Sequence, residues 1–125
     1  MKSYIIVMAG GAIGAVLRFQ LARMLPASAG GWPWPTFTAN VIGGFAMGTL
    51  TALILRQGAA GEPLRLLLGV GLLGGFTTFS AFSLEMAMMV ERGQIMLAMI
   101  YALASVILAL LALFAGLALG RGAFA

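Results

Sequence analysis

Few residues in this chain could do chemistry, and most of them stand together. Residues 74–85 read GGFTTFSAFSLE, with Gly74 and Gly75, hydroxyls at Thr77, Thr78, Ser80 and Ser83, rings at Phe76, Phe79 and Phe82, and a carboxylate at Glu85. An apolar run precedes this stretch and another follows it. Outside it, Arg18 follows GGAIGAVL, Asn40 sits in TFTANVIGG, and Tyr101 and Ser105 lie one turn apart on one helical face. Glycine and β-branched threonine lower helix propensity, so a local helix break around 74–78 is expected. A break frees backbone carbonyls and N–H groups, which at membrane depth must be paired or must bind an ion. Carbonyl oxygens suit a small hard cation such as Na⁺. Phe79 and Phe82 become neighbours on a resumed helix, and the positive edges of their rings can touch an anion without holding it tightly. Hydroxyls and the Asn40 amide can donate hydrogen bonds to the same ion. The plainer reading is that phenylalanines at this spacing pack, and that Ser and Thr bond back to their own helix. A break, a ring pair, hydroxyls and an intramembrane Asn in combination favour ion handling.

Other chemistries are short of material. The chain has no Cys and no His, and its three acids are Glu62, Glu85 and Glu91. Thiol chemistry, common metal centres and the usual proton shuttle are therefore absent, and an enzyme is not expected. GGAIGAVLR grazes a dinucleotide-binding glycine pattern, but its spacing is wrong, no strand precedes it and no acid follows at the required distance. The net charge of +4 is spread along the chain, which gives no nucleic-acid footprint.

The elements that must position these residues are apolar helices. Hydrophobic residues make up 62% of the 125, and charged residues 8%, against about 25% in soluble domains. The apolar runs predict four transmembrane helices at about 4–25, 36–55, 65–90 and 95–119, in one domain (1–125) with no soluble part. The connections at 26–35, 56–65 and 91–94 are short, so neighbours in sequence are expected to lie adjacent and antiparallel. Lys2, the run 4–17 and ASA at 27–29 imitate a secretory signal. Arg18 and Arg23 interrupt that pattern, and the first helix is expected to be retained.

Four spans place Lys2, Arg56, Arg65 and Arg121 on one side and Arg18, Arg23 and Arg92 on the other. That bias is too small to fix one orientation, so the chain could insert both ways and pair as an antiparallel homodimer. Set aside Arg18 as lying within the span, and an ordinary modest bias remains. Small-xxx-small spacings at Gly10/Gly14, Gly11/Ala15, Gly44/Gly48, Gly71/Gly75 and Gly116/Gly120 let backbones approach closely, between subunits or within one.

GGAIGAVLRF (10–19), WPWPTFTANVIGGFAMG (32–48) and GVGLLGGFTTFSAFSLE (69–85) together resemble the Fluc-type fluoride channels, the CrcB family. The resemblance runs across all four predicted helices. It implies an all-α, integral membrane, dual-topology antiparallel homodimer with two fluoride pathways and a break in the third helix. It further implies a structural Na⁺ at the dimer interface, held by backbone carbonyls of Gly74 and Thr77. Phe79 and Phe82 match the pathway's ring pair, and Asn40 its asparagine. Ser80, Tyr101 and Ser105 match pathway positions, while Arg18 and Glu85 match vestibule residues. The implied activity is passive, fluoride-selective export from the cytoplasm across a bacterial plasma (inner) membrane, giving fluoride resistance. The implied partners are fluoride, lipid and a second copy of the chain. Protonated acid enters a cell from acidic surroundings and is trapped inside as the anion, which a passive channel releases. The chain departs from the family at Ala81, where a Thr is frequent, at Pro35, where Gly is frequent, and in a fourth helix that is wholly apolar beyond Ser105 until Gly116. The alternative is a small multidrug-type cation exporter, but that class carries a carboxylate in its first helix, where this chain has Arg18.

Overall fold

The computed structural model describes residues 1–25 and 31–123; the ASA triplet at 27–29, with the rest of 26–30, lies outside the described residues. All regular structure among the described residues is helical. Helices suit a chain of such apolarity, because in lipid a helix satisfies its backbone within the segment. Helix α1 spans Lys2–Met24 and continues unbroken through Arg18 and Arg23. Helix α2 spans Trp34–Gln57, with Pro33 as its cap and Pro35 in its first turn, where a missing N–H costs nothing. It ends at Gly58, whose φ of 59° suits glycine alone. A single 3₁₀ turn, Gly58–Gly61, leads into the next helix.

That helix, α3 (62–76), is built in three parts: Glu62–Leu64, a π-helical stretch Arg65–Leu73, and Gly74–Phe76. Through the π-helical stretch the hydrogen bonds reach one residue further than in an α-helix, as from Gly74 N–H to the Gly69 carbonyl. Thr77 is extended (φ −84°, ψ 160°). Residues 77–79 lie outside helix, and α4 spans Ser80–Glu91. Helix α5 spans Ile95–Ala123. The expected helix at 65–90 thus comes as two pieces. Helix α5 runs past the expected end at 119 because neither Gly120 nor Arg121 stops it.

Two backbone-tight pairs hold the chain together, and neither joins neighbours in sequence. In the first, a Cβ on Gly10 would strike the Leu67 carbonyl and one on Gly14 the Leu72 carbonyl. From the other side, Gly71 and Gly75 would meet the Val7 and Gly11 carbonyls at 2.9 and 2.6 Å. Numbers rise together on both partners, so α1 and α3 are parallel. The second pair is α2 with α5. Gly44 lies on the Ala109 carbonyl, Gly48 on that of Leu113 and Gly116 on that of Phe45, again in parallel. The glycine pairs on these four elements are therefore spent inside one subunit. Short connections predict adjacent, antiparallel neighbours, and the glycines add close contact between alternate helices. Between α2 and α3–α4 the numbers run oppositely: Gly69 faces Leu50, Thr77 faces Gly43 and Glu85 faces Thr36. Those two elements are antiparallel.

Helix α4 closes on α5 through a small core of Phe82, Met89, Ala98 and Tyr101. Three helical stretches are long and apolar enough to cross a membrane: Lys2–Met24, Trp34–Glu91 and Ile95–Gly122, with mean hydropathies of 1.8, 1.6 and 2.6.

Candidate functional site

The interruption at 77–79 organises the site, and side chains from two other helices complete it. In a continuing α-helix the Gly74 carbonyl would accept from Thr78 N–H, and the Gly75 carbonyl from Phe79 N–H. Here Thr78 N–H donates to Asn40 Oδ1 at 3.0 Å, and Asn40 Nδ2 donates back to the Thr78 carbonyl at 3.1 Å. One α2 amide thereby pairs both backbone groups of Thr78. From α1, Arg18 Nε donates to the Gly75 carbonyl at 3.3 Å. The threonines serve the ends. Thr77 Oγ1 donates to the Leu73 carbonyl at 2.9 Å, and Thr78 Oγ1 accepts from Ala81 N–H in the first turn of α4 at 3.1 Å. The Gly74 carbonyl loses its α-helical partner to Asn40, and the Thr77 carbonyl belongs to an extended residue.

Glu85 is held by hydroxyls rather than by a cation. Thr36 Oγ1 donates to Oε2 at 2.7 Å and Tyr101 OH donates to Oε1 at 2.8 Å. Tyr101 is 0% exposed. Its ring packs on Phe82 at 5.0 Å and edge-on to Trp32 at 5.3 Å between centroids. Phe82 in turn meets Phe79 at 5.7 Å, which extends the aromatic contact out to a ring 77% exposed.

Three cavities divide the expected site residues. One of about 270 Å³ is lined by Asn40, Thr78, Phe79, Phe82, Ser105, Val106 and Ala109. Ser105 is 6% exposed, and its Oγ has no hydrogen-bond partner among the described residues. A second, of about 270 Å³, holds Arg18 with Pro35 and Thr36. A third, of about 460 Å³, holds Glu85 with Arg92, Gly31, Pro33 and Met88. Asn40, Phe79, Phe82 and Ser105 are thus brought together, with Tyr101 behind Phe82. Arg18 and Glu85 stand in separate cavities, and Ser80 is exposed at the start of α4. The amide of Asn40 has a second task, since it holds the interruption as well as lining the cavity.

A cation here would need backbone oxygens, because no cluster of three His, Cys, Asp or Glu exists among the described residues. The Gly74 and Thr77 carbonyls have the right chemistry for a small hard ion, but two oxygens are fewer than such an ion takes.

Sequence reasoning missed Thr36 as a site residue, and it named Thr78 as one hydroxyl of the 74–85 stretch without its pairing to Asn40. Thr36 was within reach, since it lies one turn before Asn40 and so on the same face. The pairing of Thr36 with Glu85 spans 49 positions and leaves no local signal.

Residues 5–117 match the family model described as CrcB-like protein, Camphor Resistance. A fluoride-specific ion channel of Phenylobacterium zucineum is 54% identical over the full length of both chains. One from Novosphingobium aromaticivorans is 55% identical over 90% of this chain and 91% of its own. One from Agrobacterium fabrum is 45% identical over 95% and 96%. With a family model covering nearly the whole sequence and relatives this similar, the chain belongs to the CrcB family.

Proposed function

We propose that the chain is a subunit of a passive, fluoride-selective channel in the bacterial inner membrane, and not an enzyme. It lets cytoplasmic fluoride leave the cell and so confers resistance. The observation that carries this is the cavity of Asn40, Thr78, Phe79, Phe82 and Ser105, with its unpartnered buried hydroxyl. Fluoride is small and tightly hydrated, so a selective path must replace its water with close donors. The Ser105 hydroxyl and the Asn40 amide supply donors, and the ring edges supply weak positive contact that lets the ion move on. No carboxylate lines this cavity to oppose an anion. Ser80 and Tyr101 flank the path, and Arg18 and Glu85 belong to its wider ends.

Four spans per subunit fit the registers of packing, with Trp34–Glu91 counted as two because α2 and α3–α4 run antiparallel. Phe79, Leu84, Leu103 and Val106 are all largely exposed. A second copy of the chain is the occupant that completes this face, and an antiparallel arrangement suits the weak charge bias. A Na⁺ between the copies would be held by the Gly74 and Thr77 carbonyls of each. It would supply fixed positive charge at the interface of the two interruptions.

The test is reconstitution into liposomes with a fluoride electrode. Fast fluoride release with negligible chloride release is expected, and Phe79→Ile or Phe82→Ile should slow it while leaving the protein folded. No release from well-incorporated protein would refute the reading, and unimpaired flux in both variants would refute the role of the rings.

A further inference from the structure

We propose that Arg92, not assigned a role above, is the electrostatic entry residue of the Glu85 cavity, raising the local fluoride concentration at that mouth. The inference rests on the fluoride-channel reading and names a further residue for it. Helix α4 ends in a fixed turn. Gly93 has φ of 79°, its N–H donates to the Val90 carbonyl at 3.0 Å, and Gln94 N–H donates to the Met89 carbonyl at 2.8 Å. This double bond pattern is the Schellman motif, and it sets the residue before the glycine in one place. That residue is Arg92. Its Nε donates to Gln94 Oε1 at 3.2 Å, which orients the guanidinium and leaves its terminal nitrogens for other acceptors. Arg92 lines the same cavity of about 460 Å³ as Glu85.

Arg18 lines a different cavity and Arg65 is ion-paired with Glu62 at 2.7 Å, so Arg92 is the cation among the residues lining the Glu85 cavity. Among the described residues no acid pairs with Arg92, while Glu85, further along the same cavity, takes its bonds from two neutral hydroxyls. The cavity therefore has a carboxylate whose charge is not cancelled by a cation contact. Such a charge repels fluoride from the mouth unless a positive group stands on the approach. Arg92 supplies that group, and a charged mouth with low-dielectric walls concentrates counter-ions.

Fluoride flux through Arg92→Gln and Arg92→Lys should be compared with the unaltered protein in liposomes. Na⁺ is held constant, and ionic strength is raised with an impermeant anion. At low ionic strength Arg92→Gln should fall about two- to fivefold, the order expected for one unit charge a few ångströms from the ion's path in high dielectric. The difference should vanish near 1 M, where screening extends only about 3 Å. Arg92→Lys should keep most of the flux at every ionic strength. Equal flux for Arg92→Gln and the unaltered protein at low ionic strength would overturn the inference. So would a deficit that persists at high ionic strength or appears equally in Arg92→Lys, since either would mark a structural role. Absence of flux in the unaltered protein would instead overturn the channel reading itself.

Discussion

Asn40 offers the sharpest test of how the interruption in α3–α4 is held. Asn40→Ala removes both bonds to Thr78, at 3.0 and 3.1 Å, and leaves a backbone N–H and a carbonyl without their partner. Each unsatisfied buried group costs about 1–3 kcal/mol, which would give about 2–6 kcal/mol for the pair. Interhelical hydrogen bonds in membranes measure lower, averaging about 0.6 and reaching about 1.7 kcal/mol each, because freed groups find other partners. Two bonds then give about 1–3 kcal/mol as the expected cost. At about 1.4 kcal/mol per factor of ten, the Thr78 amide should exchange its hydrogen roughly five- to 150-fold faster.

Hydrogen–deuterium exchange on reconstituted protein reads this directly, with Ala81 N–H as an internal reference, because its bond to Thr78 Oγ1 does not involve Asn40. Fluoride flux should fall in the same variant, since the donor lining the cavity goes with the clamp. Asn40→Asp separates the two roles. Its oxygen can still accept from Thr78 N–H, so exchange there should stay slow. The second oxygen would face the Thr78 carbonyl and place a negative charge in the cavity proposed for fluoride, so flux should fall further than in Asn40→Ala. If the Thr78 amide exchanges at the same rate in Asn40→Ala as in the unaltered protein, the clamp is not what holds the interruption.

Two further outcomes follow from the packing. Tyr101→Phe keeps the ring contacts to Phe82 and Trp32 but removes the donor to Glu85 Oε1. Flux should drop with the elution volume on size-exclusion chromatography unchanged, whereas unaltered flux would exclude the hydroxyl from the proposed conduction path. Gly48→Ala puts a Cβ onto the Leu113 carbonyl, while Gly122→Ala meets nothing within 4 Å. The first should lose about 1–3 kcal/mol, seen as a lower melting temperature in detergent, and the second should match the unaltered protein; equal melting of both would refute the backbone-tight pairing of α2 with α5.

How much of this could be read beforehand depended on the range of the interaction. Helices were legible because continuous apolar runs of about 20 residues fit a spanning helix, and the polar insert at 74–85 was legible because it violates those runs. Thr77 bonding back to Leu73 is local and was foreseeable from residue type. The partners of the interruption were not, because Arg18 meets Gly75 across 57 positions and Asn40 meets Thr78 across 38. The π-helical geometry of Arg65–Leu73 also escaped, since Leu and Gly carry no signal that separates it from an α-helix. Small-residue spacing showed that backbones would touch, but not that the parallel pairs α1·α3 and α2·α5 would do the touching. That choice depends on which glycine faces meet in three dimensions.

The parallel pairing has a consequence for the site. Once α1 is locked to α3 and α2 to α5 by glycine against backbone carbonyl, rotation about those helices is fixed. Arg18 and Asn40 then have no choice but to face the interruption. α4, freed from α3 at 77–79, is the one element without such a lock; it packs on α5 through side chains, with Phe82 and Met89 against Ala98 and Tyr101. Its other face carries Phe79 and Leu84 into the open. The chain thus concentrates its rigidity where polar groups must be satisfied at membrane depth. It leaves adjustable, side-chain packing on the face where the ion path and a second copy are proposed. Polar groups are scarce here, and Arg18, Asn40, Thr77 and Thr78 at the interruption each have a partner. The Ser105 hydroxyl stands out as buried, at the cavity, and unpaired. In a medium where an unmet donor is costly, that unmet hydroxyl is the feature on which the proposed fluoride path rests.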